Sequence, residues 1–277
     1  MRMIFLIVSF LTGAVALYAQ TPVVKVAVLL YPGMELQDFA GPADVFIKAA
    51  EITRGEYQLY TVSMKQEWVY TEGHVGIQPD YTIRQMPKMD VLVIPGASMG
   101  TIDSLSKDSA MLSLLRQYQD SVSVVMSVCT GAYLLAAAGL LDHQKATTHF
   151  FVADDFAKAF PGITLVRDVR YVDEGNILTT AGVTSGIDGA LRLVERYSGD
   201  RIAAMVARGM QYTPYREEAW PQAPTGMNLK GDADVICGMI AIDKNVYAEY
   251  KGKRYYFCSE TCKKAFLKNP GKYVPGS

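Results

Sequence analysis

The sequence predicts an α/β fold in which a doubly wound parallel sheet is followed by a small C-terminal α+β unit. Two observations predict the sheet: short apolar runs recur along the first two thirds of the chain, and amphipathic helical segments separate them. Near-continuous apolar strands between helices are typical of a parallel sheet that is buried on both faces. A change to a proline-, glycine- and polar-rich composition after this region predicts where the second unit begins.

The chain opens with the pattern of a secretory signal peptide. Arg2 precedes an apolar run that ends near Leu17, and Ala19 is a small residue before the expected cleavage site. We therefore assign residues 1–19 to a signal peptide and expect a periplasmic or otherwise exported mature protein. The apolar run is short for a membrane span, so we expect no stable membrane insertion after cleavage. An uncleaved N-terminal anchor is the alternative.

Residues 23–213 contain the elements of the predicted sheet domain. The predicted strands are, in order, VVKVAVLLY, YQLYTVSM, VLVIPGA, SVSVVMSV and ILTT. The predicted helices are GPADVFIKAAEI, introduced by Gly41-Pro42, then SAMLSLLRQYQ, AYLLAAAGLL and GIDGALRLVERYSG. Ser185 and Asp188 have the spacing of a capping box at the start of the last helix. Ligands of such sheets bind at the carboxyl ends of the strands, so candidate site residues are sought there.

Two further segments follow the sheet domain. Residues 214–230 have no apolar period and are interpreted as a linker. Residues 231–275 form a unit too small to be stable easily without a metal ion, a disulfide or a docking surface. The net charge of -1 and the pI near 6.3 indicate no general basic surface, so we expect no nucleic-acid partner.

Cys129 lies between the fourth predicted strand and a helix of small residues. Ser127 and Gly131 leave room for the sharp turn of a nucleophile elbow. The amides and dipole at the start of the next helix would favour the thiolate. Gly96 and Ala97, which end the neighbouring strand, offer a second backbone donor for developing negative charge. A buried cysteine that acts only as a small apolar side chain is the alternative.

Asp38 is the candidate proton partner of Cys129, because the loop that follows the first predicted strand opens at the same sheet edge. A neighbouring thiolate would raise the pKa of this carboxyl, and the protonated acid could pass a proton to substrate. Alternatively, Asp38 caps the helix entered at Gly41-Pro42. His149 could position the substrate, although a single histidine beside an apolar pair also fits a structural role.

Four stretches carry a family resemblance: VLLYPGMELQDFAGPADVF, VLVIPGA, SVCTGAYLLAAAGLLDHQKATTHF and TTAGVTSGIDGALRLVE. Together they resemble the isonitrile hydratase-like branch of the ThiJ/PfpI superfamily, whose flavodoxin-like fold is that of class-I glutamine amidotransferases. The resemblance implies that Cys129 is the nucleophile, Asp38 its acid partner and Thr130 a donor to the site. It also implies a small-molecule substrate and no cofactor for this domain, and it is compatible with a homodimer.

The sequence departs from this superfamily at Thr130, at Ala97 and in TTAGVTSG, which varies the pattern TAGGVTAG. Thr130 stands where the protease-like members have a histidine after the cysteine, which argues against peptidase activity. Ala97 stands where the branch commonly has a second glycine, which could alter the pocket. No DNA-binding domain follows the sheet domain, so we do not expect a transcriptional regulator.

The other three cysteines, Cys237, Cys258 and Cys262, cluster near the C-terminus. Three converging thiolates suit a zinc or copper ion, with Asp234, water or an exogenous ligand in the fourth position. The segments CGM, YYFCSETC and NPGKY resemble a YHS domain, and the resemblance implies metal binding. A disulfide, which an oxidising compartment permits, and simple packing of the cysteines are the alternatives.

Two functional hypotheses follow. The first is an exported cysteine-dependent hydratase or hydrolase of the isonitrile hydratase type, which acts on a small electrophilic substrate and carries a metal-binding YHS module. The second is a non-enzymatic protein of the cell envelope that senses redox state or metal and protects against stress, with Cys129 as a reversibly oxidised thiol.

Overall fold

The structure is a computed structural model, which describes residues 23–212, 234–236, 241, 244–257 and 260–274. The predicted signal peptide, the predicted linker and two of the predicted metal ligands, Cys237 and Cys258, lie outside these residues. Within the described part of the chain, no helix combines the length and the apolar character that crossing a membrane requires.

The secondary structure of the described residues follows the chain order β1–α1–β2 through to α9. The strands are β1 Val24–Leu30, β2 Tyr57–Ser63, β3 Val69–Tyr70, β4 Gly76–Ile77, β5 Tyr81–Thr82, β6 Val91–Ile94, β7 Val124–Ser127, β8 Lys145–Ala146, β9 Thr164–Leu165, β10 Tyr171–Asp173, β11 Ile177–Thr180, β12 Tyr247–Tyr250 and β13 Lys253–Tyr256. The helices are α1 Leu36–Thr53, α2 Met99–Leu105, α3 Ser109–Gln119, α4 Gly131–Ala137, α5 Ala153–Ala159, α6 Ser185–Ser198, α7 Asp200–Gly209, α8 Glu260–Lys268 and α9 Pro270–Tyr273.

A seven-stranded sheet in the order β10-β11-β7-β6-β1-β2-β5 forms the centre of the first unit. Its neighbouring strands are parallel except for the antiparallel pair β10 and β11. The five predicted strands are its five inner strands, so the predicted fold class is confirmed. The edge strands β5 and β10 were not predicted, because two or three residues are too few to show an apolar period.

The sheet is covered by helices on both faces. Alternate residues of β1 point to opposite sides: Ala27 and Leu29 belong to one apolar cluster, and Val26 and Val28 belong to the other. Helices α2 to α5 pack on the first side, and α1, α6 and α7 pack on the second. Because both faces are buried, function is confined to the ends of the strands.

Helix α1 begins earlier than the sequence predicted. It starts at Leu36, so Asp38 lies in its first turn rather than in a loop, and Pro42 lies inside the helix. Proline cannot donate a hydrogen bond to the carbonyl four residues earlier, that of Asp38. The helix nevertheless continues through Pro42, because the buried side chains of Val45 and Phe46 hold it against the sheet.

The predicted capping box of α6 does not form. Thr184 is the N-cap residue and makes no side-chain cap hydrogen bond. Asp188 instead accepts hydrogen bonds from Arg170 Nε at 2.7 Å and from the Tyr212 hydroxyl at 2.8 Å. A charge-assisted hydrogen bond to arginine is stronger than a hydrogen bond to a backbone amide, so Asp188 binds Arg170 and does not cap the helix. The Ser185 hydroxyl is buried with no hydrogen-bond partner within the described ranges.

The second unit contains an antiparallel hairpin of β12 and β13 followed by α8 and α9. Its small apolar core consists of Ala248 and Tyr255 from the hairpin, Phe257 after it and Phe266 from α8. Three aromatic rings meet there, since the Phe266 ring lies 5.3 Å from that of Tyr255 and 5.1 Å from that of Phe257. The core is small, as the length of this unit predicts.

Candidate active site

Cys129 lies in the turn between β7 and α4 and adopts a left-handed backbone conformation, with φ at 57°. Two hydrogen bonds hold the turn: the Cys129 amide donates to the Thr180 carbonyl at 3.2 Å, and the Gly131 amide donates to the Val128 carbonyl at 2.9 Å. The Thr148 hydroxyl donates to the Cys129 carbonyl at 3.0 Å. A non-glycine residue at positive φ in a strand-to-helix turn is the conformation expected of a nucleophile elbow.

Gly131 allows this turn to lie against the neighbouring strand. A Cβ atom at this position would be 2.5 Å from the Ile94 carbonyl oxygen and 2.9 Å from the Pro95 carbonyl oxygen. Both contacts are with backbone, which cannot move aside cheaply. The small residue that the sequence placed two positions after the cysteine is therefore required by a close backbone approach.

We expect Gly131→Ala to lower the free energy of unfolding by about 1–3 kcal/mol, because the added methyl group forces the two segments apart. Urea unfolding monitored by circular dichroism measures this loss. Gly100→Ala is the matched control, since Gly100 lies in α2 and a Cβ atom there would contact nothing within 4 Å. Equal unfolding midpoints for Gly131→Ala and the wild type would contradict the packing described here.

Asp38 is fully buried beneath this turn. Its Oδ2 accepts a hydrogen bond from the Gly96 amide at 2.8 Å, and its Oδ1 is buried with no hydrogen-bond partner among the residues that the structure describes. Burial raises the pKa of Asp38 to about 8, and the charges of Glu35 and Glu72 add to this increase. The sequence attributed the increase to the neighbouring thiolate, whereas loss of solvent is the largest cause.

The Cys129 thiol lies close enough to the Asp38 carboxyl for the two groups to titrate as a pair. Burial, followed by the charge of Asp38, raises the pKa of Cys129 well above that of a free thiol. The predicted preference for thiolate is therefore wrong for the resting site. At neutral pH both groups carry a proton, and a thiolate forms only when one proton leaves the pair.

Two backbone amides oppose this increase by donating to the Cys129 sulfur. They belong to Thr130, the next residue, and to Val183, in the turn between β11 and α6. Val183 has φ at 31°, an unusual conformation for a β-branched residue. The sequence did not identify Val183, although its position three residues after a predicted strand could have indicated it.

Gly96 and Ala97 do not supply the free backbone donors that the sequence predicted. The Gly96 amide is used by Asp38, and the Ala97 amide donates to Thr130 Oγ1 at 2.9 Å. The Thr130 hydroxyl in turn donates to the Ala97 carbonyl at 2.7 Å. These bonds connect the end of β6 to the elbow. Of the amides of Gly96, Ala97 and Thr130, that of Thr130 alone donates to the Cys129 sulfur.

The sequence also did not identify three acidic or phenolic side chains near Asp38 and Cys129. Tyr31, directly after β1, is buried and donates its hydroxyl to the Pro95 carbonyl, and burial raises its pKa. The Glu35 amide donates to the Gly96 carbonyl at 2.8 Å, and the Glu72 amide donates to the Met34 carbonyl at 3.0 Å. Burial raises the pKa of Glu72, and the charge of Glu35 and a hydrogen bond between the two side chains raise it further.

His149 lies near the site, against the turn that carries Val183. Its Nδ1 accepts a hydrogen bond from the Phe151 amide at 3.3 Å, and its ring packs against Gly182. Burial lowers the pKa of His149, so the ring is neutral at physiological pH. These contacts support a structural role for His149, whose ring lies beside Gly182, the residue before Val183.

Of the C-terminal cysteines, only Cys262 is described; it lies partly buried in α8. Asp234, named as a fourth ligand, is buried, and its Oδ1 accepts a hydrogen bond from the Ile236 amide at 2.9 Å. The described residues contain no group of three metal-ligating side chains. The predicted metal site, which includes Cys237 and Cys258, stays a prediction.

Comparison with known proteins matches residues 24–196 to the DJ-1/PfpI family and residues 233–277 to the YHS domain. The isonitrile hydratase of Pseudomonas putida is 32% identical over 190 residues, which cover 69% of this chain and 79% of that protein. Protein DJ-1alpha of Drosophila melanogaster is 26% identical over 190 residues, which cover 67% of this chain and 83% of that protein.

The solved structures agree with these sequence matches. The crystal structure of a ThiJ/PfpI family protein from Pseudomonas syringae superposes with a TM-score of 0.63 at 27% sequence identity. The superposition covers 81% of this chain and 87% of that one. The family match spans more than half of the chain and includes Cys129, Asp38 and the turn that carries Val183. The chain therefore belongs to the DJ-1/PfpI (ThiJ) family and carries a YHS domain at its C-terminal end.

Proposed function

We propose that the protein is an exported, cysteine-dependent hydratase of the isonitrile hydratase type, acting on a small uncharged electrophile. The observation that carries the proposal is the pairing of Cys129, in its left-handed turn, with the buried Asp38 carboxyl. A reactive thiol needs a proton partner that can both remove and return a proton, and a buried carboxyl with a raised pKa meets this need. The similarity to isonitrile hydratase supports the choice of substrate class.

For an isonitrile, the proposed reaction has two steps. The Cys129 sulfur forms a bond to the terminal carbon of the substrate, and the thiol proton passes through Asp38 to that carbon, which gives a thioimidate. Water then adds across the carbon–nitrogen double bond of the thioimidate, so that its oxygen bonds to carbon and one of its protons goes to nitrogen. The carbon–sulfur bond breaks as the carbonyl forms, and the remaining hydroxyl proton goes to the sulfur. The net change is the addition of one water molecule, and the product is an N-substituted formamide.

The backbone amides of Thr130 and Val183 have a separate role in this mechanism. They face the sulfur, where negative charge develops as the thiol loses its proton and again as the carbon–sulfur bond breaks. Fixed amides in a site with little water stabilise such charge without having to reorient during the reaction. Val183 holds its unusual backbone conformation at the point where this amide is needed.

The charges around the pair favour an uncharged substrate. Among the described residues, the charged side chains that act on Asp38 and Cys129 from outside the pair are Glu35 and Glu72, and both are acidic. A carboxylate or phosphate substrate would be repelled by these two carboxyl groups. An isonitrile has no net charge and avoids this repulsion.

We expect Glu35→Gln to shift the pH dependence of kcat/KM to lower pH. In the wild type the rate should rise with pH up to about 8, because the pair must lose one proton and the pKa of Asp38 is near that value. Removing the negative charge of Glu35 lowers the pKa of Asp38, so the rising limb moves in the acidic direction.

The measurement is a pH–rate profile between about pH 5 and 10, with Glu56→Gln as the matched control. Glu56 lies after α1, before β2, and does not affect the pKa of either member of the pair. An unchanged rising limb in Glu35→Gln would remove Glu35 from this electrostatic role.

The proposed activity is tested with a panel of isonitriles that differ only in the charge of a distal substituent. Formation of the N-substituted formamide, followed by chromatography and mass spectrometry, is the expected result, with the uncharged and cationic members preferred over the carboxylate. If no member is hydrated while Cys129 is reversibly oxidised by peroxide, the sensing hypothesis replaces the hydratase.

We further propose that the YHS domain binds a zinc or copper ion through Cys237, Cys258 and Cys262, since cysteine thiolates are suitable ligands for both metals. Cys262 is partly exposed on α8, where it can face a metal. We expect the purified protein to contain about one metal ion per chain and Cys262→Ser to lose it, with Cys129→Ser as the control that retains it. A disulfide between any two of the three cysteines, found by mass spectrometry of the unreduced protein, would contradict this prediction.

A further inference from the structure

The two units of the chain differ in charge, although the whole chain is nearly neutral. Residues 23–212 contain sixteen lysines and arginines against twenty-one aspartates and glutamates. Residues 244–274 contain eight lysines and arginines but only two acidic residues, Glu249 and Glu260. Each of these glutamates forms an ion pair inside the unit, with Arg254 at 3.0 Å and with Lys263 at 3.2 Å. The hairpin and the helices that follow it are therefore positively charged, and the second unit as a whole, residues 231–275, has a net charge of +3 because Asp232, Asp234 and Asp243 precede the hairpin.

The cations of this unit lie over aromatic rings. Each of the five tyrosines between residues 244 and 274 has a lysine or arginine within 6 Å of its ring centre. The pairs are Lys244 with Tyr256, Lys251 with Tyr250, Lys253 with Tyr255, Arg254 with Tyr247, and Lys272 with Tyr273. Such contacts keep the charged ends near the rings rather than extended into water.

The outer side of the β12–β13 hairpin gathers part of this pattern on one surface. In the hairpin register Tyr247 pairs with Tyr256, and their rings lie 6.2 Å apart. Arg254 lies 4.3 Å from the centre of the first ring and Lys244 lies 4.8 Å from the centre of the second. The inner side, with Ala248 and Tyr255, is buried on α8, so the outer residues face solvent.

The turn of the hairpin extends this surface, and α8, which packs on the inner side of the hairpin, carries exposed cations of its own. Lys251 and Lys253 flank the turn and are exposed. On α8, Leu267 is 55% exposed and lies next to Lys268 and one turn from Lys264. Tyrosines and exposed cations on one side of a hairpin are the combination found where a protein rests on the headgroup region of a bilayer.

We propose that the described part of the YHS domain is a peripheral docking surface for a membrane rich in acidic phospholipids. Lysines and arginines contact the lipid phosphates, and Tyr247 and Tyr256 on the outer side of the hairpin lie at the level of the headgroups. Each tyrosine already has a cation over its ring, which leaves less ring surface for the base stacking that single-stranded nucleic acid requires. The acidic first unit is repelled by the same membrane, so the active site is held away from the lipid surface.

The experiment is co-sedimentation of the full chain with phospholipid vesicles. We expect binding to vesicles that contain phosphatidylglycerol, little binding to phosphatidylcholine alone, and progressive loss of binding as salt is raised. Lys251→Glu combined with Lys253→Glu should weaken binding to the acidic vesicles by roughly 30-fold or more, since each cation contributes separately. Lys88→Glu combined with Lys107→Glu changes the net charge equally but in the first unit, and should leave binding unchanged.

Circular dichroism of both double variants shows whether each has kept its fold. Equal weakening by the two double variants would mean that net charge alone matters, and the docking surface would be wrong. Absence of binding to acidic vesicles would also overturn it. If a single-stranded oligonucleotide bound more tightly than vesicles at equal phosphate concentration, the surface would be a nucleic-acid site instead.

Discussion

Cys129→Ser is expected to lower kcat for isonitrile hydration by roughly 10⁴-fold or more, because the hydroxyl is a much weaker nucleophile than the sulfur at the pH of the assay. The two side chains have nearly the same shape, and Cys129 is only 8% exposed, so the fold should remain intact. The turn keeps its amide bond to Thr180, and the amides of Thr130 and Val183 still face the side chain. The loss would then report the chemistry of the sulfur alone.

Single-turnover kinetics together with mass spectrometry give the sharpest measurement. The wild type should accumulate the covalent thioimidate on Cys129 when its hydrolysis is slower than its formation, whereas Cys129→Ser should show none. Ser113→Ala, on the exposed side of α3, serves as the control for handling and purity. If Cys129→Ser hydrated the same isonitriles at the wild-type rate, the proposed mechanism would be falsified.

Asp38→Asn should reduce the activity and raise the stability of the protein. The amide keeps the shape of the carboxyl and can still accept the bond from the Gly96 amide, but it cannot exchange a proton with Cys129. Loss of one positioned acid–base group corresponds to a decrease in kcat/KM of about 10²–10⁴. The rising limb of the pH–rate profile near pH 8 should also disappear.

The stability effect follows from the raised pKa of Asp38. In the unfolded chain this carboxyl ionises near its ordinary value of 3.8, whereas in the folded protein it keeps its proton up to about pH 8. The folded state therefore binds more protons between these values, and the stability of the wild type falls as pH rises through that window. Asparagine does not ionise, so the stability of Asp38→Asn does not fall in this window. Its free energy of unfolding should therefore exceed that of the wild type by an amount that grows from pH 4 to pH 8, to about a few kcal/mol.

Urea unfolding at several pH values measures this difference. Asp80→Asn is a useful comparison, because Asp80 accepts hydrogen bonds from the amide and hydroxyl of Thr61 but lies far in sequence from the pair. A constant difference between Asp38→Asn and the wild type across this range would show that Asp38 is not held protonated by burial.

The inner strands and the main helices could be predicted because burial on both faces leaves a simple pattern. VVKVAVLLY became β1, and SAMLSLLRQYQ became α3 with the predicted bounds. The start of α1 was predicted too late, because Gly41-Pro42 has the composition of a helix start. Packing of Val45 and Phe46 on the sheet outweighs that local preference.

The candidate site was predicted where a short sequence motif or the order of the strands was sufficient to place a residue. The elbow could be found because Ser127, Cys129 and Gly131 lie within five residues of one another. Asp38 could be placed at the same edge of the sheet because the segment that contains it follows the first strand. Val183 and Glu72 were missed because their contribution depends on which strand ends become neighbours. Gly96 and Ala97 were given the wrong role because hydrogen bonds to Asp38 and Thr130 cannot be seen in a sequence.

The sequence by itself determined the fold class, the family and the position of Cys129 in its turn, since apolar periodicity and compact motifs are local properties. Only the tertiary structure decided the protonation of the pair, because the pKa values of Asp38 and Cys129 depend on burial and on charges from other segments. The structure likewise decided that Val183, rather than Gly96 or Ala97, turns its amide toward the sulfur. Solvent exclusion and the direction of an amide arise when distant segments pack together, which is why residue order does not reveal them.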